Sequence, residues 1–230
     1  DHWICPTIDS HYFLAELENF LKDCVPESTY IFPIGELCLK LIATNAERLS
    51  KKATLVMPDP SVVSLCLDKA STYIFAEKLG VPLPPSRNFQ SKEDWESFAQ
   101  KCGYPVIIKR KNSFHPVLEK KAFTCVDAPE FAAFLNALKQ SGEADYESLI
   151  LQKKIDGYRH NCHFAASDGK VSSYFEQKVL RTDLPDGSGY GVEGISLEPT
   201  RNLRDYTDRL VSALRYNGVG CAQFLVETGS

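Results

Sequence analysis

The sequence predicts an α+β protein: two α+β lobes behind a small α/β piece. Three observations predict it. Helical and extended patterns alternate over the first third. An apolar strand with a following partner lies between two capped helices in the middle, and the last third is mostly strand.

The elements follow in order. Ser10 can cap a helix whose Phe13, Leu14, Leu17, Phe20 and Leu21 form one apolar face. Tyr30-Ile31-Phe32 reads as a short strand, 35–49 as a helix carrying Leu37, Leu41 and Ile42, and 53–56 as a second buried strand stopped by Pro58 and Pro60. Strand, helix, strand at this spacing predicts a βαβ unit with parallel pairing. An amphipathic helix over 68–79 ends at Gly80, and Ser91 caps the next, which stops at Gly103.

The strand 105–109 takes 122–126 as its antiparallel partner, and Asp127 with Glu130 starts a helix through Leu138. Leu149-Ile150-Leu151 runs into a connector. An Asp168-Gly169 hairpin joins strands 161–166 and 171–179. A strand over 192–197, a helix over 202–216 and a strand over 222–226 complete the order. The expected domains are 1–66, a partial α/β domain; 67–148, the first lobe; and 149–230, the second lobe.

Net charge is -4 and no basic run forms a patch, which argues against nucleic acid or an anionic membrane as partner. No apolar stretch reaches the ~20 residues of a membrane span. The eight cysteines include no C-x-x-C pair, so neither a zinc site nor a redox dithiol is indicated. Widely spread thiols among apolar neighbours point to a reduced, cytoplasmic protein.

A P-loop is excluded, because no G-x-x-x-x-G-K-[ST] run exists. Gly189-Tyr190-Gly191-Val192-Glu193-Gly194 matches G-x-G-x-x-G, but a strand rather than a helix comes after it, against the dinucleotide fingerprint. The more specific signal is a series in fixed order. Asp68-Lys69 opens a helix that ends in Leu79-Gly80-Val81-Pro82. Gly103-Tyr104-Pro105-Val106-Ile107-Ile108-Lys109 puts a lysine at the end of an apolar strand, and Leu149-Ile150-Leu151-Gln152-Lys153-Lys154-Ile155-Asp156-Gly157 comes next. Over about residues 30 to 230 this series resembles the ATP-grasp superfamily, which includes biotin carboxylase, carbamoyl phosphate synthetase and D-alanine–D-alanine ligase.

The resemblance implies an ATP-grasp fold, two lobes clamping ATP behind a partial pre-ATP-grasp domain. Lys109 would place a charge on the α/β-phosphates, with Lys69 a second phosphate-side lysine. The competing readings are a snorkelling strand-end lysine and a solvated helix start. The backbone of Lys153 and Ile155 would hold the adenine edge beside the Gln152 side chain, where many relatives carry Glu. Arg159 or His160 falls where relatives touch the ribose, and His160 is the residue selected here.

Glu176-Gln177-Lys178-Val179 resembles a biotin carboxylase segment, making Lys178 the catalytic candidate and Arg181 an alternative cation. Gln223, in Cys221-Ala222-Gln223-Phe224-Leu225, matches the carbamoyl phosphate synthetase version of the first magnesium ligand, manganese being the substitute ion. The next strand of the family, with Glu-x-Asn, would lie beyond Ser230, and Glu227 is expected out of register to replace it. The chain is therefore expected to be a piece of a longer enzyme, cut at its C-terminus and without turnover alone.

Two functions are compatible with these residues. One is an ADP-forming ligase in which ATP phosphorylates a small-molecule carboxylate, an amine then attacking the acyl phosphate; a homodimer is a candidate assembly. The other is a non-catalytic nucleotide-binding or interaction module. The absence of glycine over 110–121 favours the second, since a glycine-rich loop normally closes its amides over the phosphates.

Overall fold

The structure, a computed structural model, describes residues 4–87, 91–112, 116–120, 122–142, 145–184, 187 and 189–228. Its described residues fall around three apolar clusters, the middle one taking in Leu149 and Leu151.

The first part contains helix α1 (Phe13–Phe20), strand β1 (Tyr30–Ile31), helices α2 (Glu36–Thr44) and α3 (Ala46–Leu49), strand β2 (Thr54–Leu55) and helix α4 (Pro60–Leu67). β1 and β2 pair in parallel, as expected for a βαβ unit. The helix expected over 35–49 is broken at Asn45, whose side chain donates to the Leu41 carbonyl at 2.8 Å. Helix α4 is not expected from the sequence pattern, in which Pro60 reads as a stop. Pro60 opens this helix instead, with Asp59 as its cap accepting from the Ser61 N–H at 2.8 Å. A proline loses nothing at the first helical position, where its missing N–H has no partner to seek. Leu17, Leu21, Ile42, Leu49, Met57 and Val63 bury this part's core.

Helix α5 (Lys69–Lys78) leads to the first large sheet. Strand β3 (Ser86–Arg87), helix α6 (Lys92–Cys102), strands β4 (Val106–Arg110) and β5 (Ala122–Cys125), helix α7 (Ala128–Gln140) and strand β6 (Leu149–Lys153) complete it, in the antiparallel order β3-β6-β4-β5. The expected pairing of 105–109 with 122–126 is present. Period-two alternation sends Val106 and Ile108 to the core under α6 and α7, and turns Ile107 and Lys109 to the opposite face. β6 hydrogen-bonds into this sheet, so the change of sheet falls after Lys153, beyond the boundary expected before Leu149.

The second sheet joins β7 (Gly157–Ser167), β8 (Lys170–Thr182), β9 (Gly191–Leu197) and β10 (Gly218–Glu227), in the order β10-β7-β8-β9, with helix α8 (Arg201–Ala213) on one face. The Asp168-Gly169 hairpin forms with φ of 46° and 76°, the paired left-handed values of a tight two-residue turn. Phe164, Ala166 and Val211 seal α8 to the sheet.

The first sheet's core centres on Trp95, fully buried on α6, which lies parallel to Phe131 at 6.5 Å and edge-on to Tyr146 at 5.4 Å between ring centroids. Trp95→Ala should therefore destabilise this lobe by about 3–5 kcal/mol. Urea unfolding followed by circular dichroism checks this, and a loss under about 1 kcal/mol would contradict the packing.

Candidate functional site

The face of the first sheet turned away from α6 and α7 carries a cluster of charge and polarity. Lys109, half-buried at the end of β4, donates from Nζ to the Tyr73 hydroxyl at 2.7 Å and to Gln152 Oε1 at 3.0 Å. Its Nζ lies 5.3 Å from the Tyr73 ring centroid, so it sits off the phenol's polar end rather than over the ring. Gln152 is on the same face because the register sets Lys109 opposite Ile150, two residues before it on β6.

Lys69 and Tyr73 stand one turn apart on α5, whose start is docked by the Lys69 N–H on the Lys111 carbonyl at 2.8 Å. Burial lowers the Lys69 ammonium from the usual lysine value; Glu36 opposes the shift, and the charge of Lys109 adds to it. Burial alone would raise the Tyr73 phenol, but the charge and hydrogen bond of Lys109 leave it below the ordinary tyrosine value. The structure thus brings Lys69, Lys109 and Gln152 together, and adds Tyr73. Tyr73 is not among the sequence candidates, although its spacing of four from Lys69 on an amphipathic helix puts it on the same face.

The connector begins where β6 ends. The Lys153 N–H donates to the Pro85 carbonyl at 2.8 Å, and the Lys154 N–H to the Pro105 carbonyl at 3.0 Å. Pro85 has no N–H to return, so the ladder leaves the Lys153 carbonyl without its usual donor on that side. The Lys153 side chain turns the other way, donating to the carbonyls of Gly103 and Tyr104 at 3.2 and 2.7 Å, where it braces the end of α6. Ile155 is half-buried just beyond. Gln152 is 5% exposed, and its Nε2 is buried without a partner.

In the second sheet, alternation sorts the candidates onto two faces. His160 lies opposite both Lys178 and Phe224, and this face is covered by α8, with Tyr206 of the helix 6.2 Å from Phe224 between ring centroids. The fully buried Glu176 sits there too. Its carboxylate accepts from the Thr200 N–H and Thr200 hydroxyl at 2.8 Å each and lies 2.8 Å from His160 Nδ1, with the Tyr174 hydroxyl at 3.3 Å. Burial would raise the Glu176 carboxyl, but the His160 and Thr200 hydrogen bonds hold it below the usual carboxylate range. His160 is thus tied into the joint between β7, β8 and α8. Lys178 places its ammonium 3.5 Å from the Tyr158 ring centroid, also on the helix side. Arg181 makes an exposed ion pair with Glu193 at 3.1 Å.

The opposite face carries Arg159, Asn161, Gln177 and Gln223. Asn161 lies across from both Gln177 and Gln223, and its Nδ2 donates to Gln177 Oε1 at 3.3 Å. Arg159 donates to the Gly189 carbonyl at 2.8 Å. Among the described residues the buried Arg159 Nε and Asn161 Oδ1 find no hydrogen-bond partner. Of the two residues expected near a ribose, Arg159 is therefore the one on the face of Gln223. Glu227 shares that face as well, four residues along β10, so distance and not facing separates it from Gln223.

Among the described residues no group of three or more His, Cys, Asp or Glu is placed to hold a metal ion. Gln223 and Asn161 supply neutral amide oxygens, whereas magnesium normally takes one or two carboxylates beside its phosphates and waters. The described residues do not by themselves fit a magnesium site. All eight cysteines are free thiols, and burial pushes the Cys125 thiol up to about 11, away from any nucleophilic role. No helix among the described residues is long and apolar enough to cross a membrane.

Two antiparallel sheets, helices on their outer faces and a lysine cluster beside a strand-end connector define the ATP-grasp fold, and the chain has that fold. No family model matches the chain. A carbamoyl phosphate synthase large chain of Thermus thermophilus is 25% identical over 232 residues, covering 96% of this chain and 22% of that protein. Among solved structures, the biotin carboxylase domain of Hydrogenobacter thermophilus 2-oxoglutarate carboxylase, a dimer in complex with MgADP, ADP and bicarbonate, superposes with a TM-score of 0.70. It is 16% identical, with 99% of this chain and 51% of that one covered. The N5-carboxyaminoimidazole ribonucleotide synthetase of Thermus thermophilus gives a TM-score of 0.62 at 20% identity, covering 94% of this chain and 54% of that one. The chain thus spans about a fifth of the length of the carbamoyl phosphate synthase chains it matches.

The Glu176 joint makes a testable prediction. Glu176→Gln should destabilise the chain by about 1–3 kcal/mol at neutral pH, since an amide cannot accept on both atoms from Thr200 and His160. The folded carboxyl lies below its unfolded value, so its contribution is complete above the unfolded value and is lost as pH falls through the folded one. The gap in urea stability between wild type and variant should narrow below the ordinary carboxylate range. A gap that widens on acidification would contradict the assignment.

Proposed function

We propose that this chain is the nucleotide-binding part of an ADP-forming ATP-grasp ligase, in which ATP phosphorylates a carboxylate or bicarbonate and an amine attacks the acyl phosphate. The observation that carries this reading is the meeting of Lys109, at the end of β4, and Lys69, at the start of α5, beside a carbonyl at the end of β6 that the ladder leaves over. Lys109 and Lys69 present the charges for phosphate. The Lys153 carbonyl and the Ile155 N–H present an acceptor and a donor for a 6-aminopurine edge, with Gln152 beside them. Arg159, rather than His160, is suited to the sugar, because it stands on the face opposite α8.

For Lys178 and Arg181 a catalytic role requires Lys178 to leave Tyr158 and Arg181 to leave Glu193. They are therefore secondary in this reading. Preorganised cations that meet developing phosphoryl charge are the main device expected for such a transfer. In the matched structure MgADP is bound, so magnesium would enter here with the nucleotide, held in part by Gln223.

A second reading, a nucleotide-binding module without turnover, is favoured by the absence of a carboxylate metal group among the described residues. Formation of ADP from ATP in the presence of bicarbonate and ammonia separates the two.

Calorimetry with ADP tests the binding site itself. Lys109→Met should weaken ADP by about 10- to 100-fold, as for a charge-assisted hydrogen bond. Unchanged affinity would remove the phosphate role of Lys109 and with it the proposed site.

A further inference from the structure

We infer that Tyr73 is a positioning residue for Lys109, fixing where its ammonium meets the phosphates; this rests on the nucleotide reading above. A lysine head on a four-carbon stem has many places to go, and its charge is useful to an anion only where it is held. Two acceptors hold it here, the Tyr73 hydroxyl at 2.7 Å and Gln152 Oε1 at 3.0 Å, on two different elements. An ammonium has three donors, so this grip leaves one for a ligand.

The two anchors differ in what fixes them. Gln152 is a strand residue of β6, 5% exposed, locked between β3 and β4. Tyr73 belongs to α5, whose start is tied to the end of β4 by the Lys69 N–H on the Lys111 carbonyl. Helix and strand are thereby clamped at one end, and Tyr73 spans them one turn further along. The Gln152 side chain also bears on the Tyr73 phenol, helping to hold it below the ordinary tyrosine value. Tyr73 and Gln152 therefore set the lysine from two sides.

Removing the hydroxyl alone isolates this role, because Tyr73→Phe keeps the ring and its packing. In calorimetry of the full chain, Tyr73→Phe should weaken ADP by about 3- to 10-fold, the range of one hydrogen bond. Adenosine, which lacks phosphates, should bind within about twofold of wild type. In the Lys109→Met background the same substitution should have no further effect on ADP, since the group that it positions is gone. A general loosening of α5 would instead weaken adenosine too and add to Lys109→Met. That pattern, or an unchanged ADP affinity in Tyr73→Phe where Lys109→Met loses it, overturns the positioning role while leaving the nucleotide reading intact. Failure of Lys109→Met itself to weaken ADP overturns both. Thermal melting confirms that each variant is folded.

Discussion

An ammonium taken partly out of water must be given acceptors, and the site in the first lobe is arranged around that requirement. Lys109 emerges from an apolar strand whose alternate residues, Val106 and Ile108, are fully buried. The strand fixes its Cα, and burial removes part of its hydration. Tyr73 and Gln152 restore two hydrogen bonds, which fixes α5 against β6 and orients the Gln152 amide. The Lys69 ammonium beside it is lowered chiefly by burial, with Glu36 opposing the shift and Lys109 adding repulsion. Two like charges held together in a half-buried place are relieved by an anion, which is the physical content of a phosphate site.

The second sheet obeys a different constraint, the covering of one face by α8. Once Phe164 and Ala166 are packed under Val211, every second residue of β7 must go beneath the helix. His160, two pleats before Phe164, is carried there with them, and a buried imidazole needs the partner that Glu176 supplies. The same step sends Arg159 and Asn161 to the open face with Gln223. One residue of register therefore decides which of two adjacent side chains can meet a ligand.

That step also explains what is legible in the sequence. Lys109, Gln152 and Lys69 are legible because each lies at a place that local pattern marks: a strand end, a connector, a helix start. The paired strands and the Asp168-Gly169 hairpin are legible for the same reason. Tyr73 is not, since its meaning comes from a partner far along the chain. The choice between Arg159 and His160 needs the register of β7 against α8, which neighbouring residues do not reveal. Pro60 misleads because proline both ends strands and opens helices, and only the cap from Asp59 tells the two apart. The boundary before Leu149 misleads because β6 looks, in sequence, like the opening strand of the second lobe, while its hydrogen bonds belong to the sheet of the first.

The two lobes contribute unlike chemistry. The first holds Lys69, Lys109 and the end of β6, all placed by strands and a clamped helix. The second offers, on its open face, one guanidinium and a row of neutral amides, Asn161, Gln177 and Gln223, with Asn161 bonded to Gln177 and the carboxylate of Glu227 four residues from Gln223 along β10. Neutral oxygens bind a divalent ion weakly unless phosphates bring most of its ligands. In the proposed reading, recognition of a nucleotide and transfer of its terminal phosphate therefore make separable demands. The first would fall to the lysines of the first lobe. The second depends on how much negative charge the open face can bring to a metal; amides bring none and Glu227 stands four residues from Gln223, so the balance between the two proposed readings turns on that face rather than on the lysine cluster.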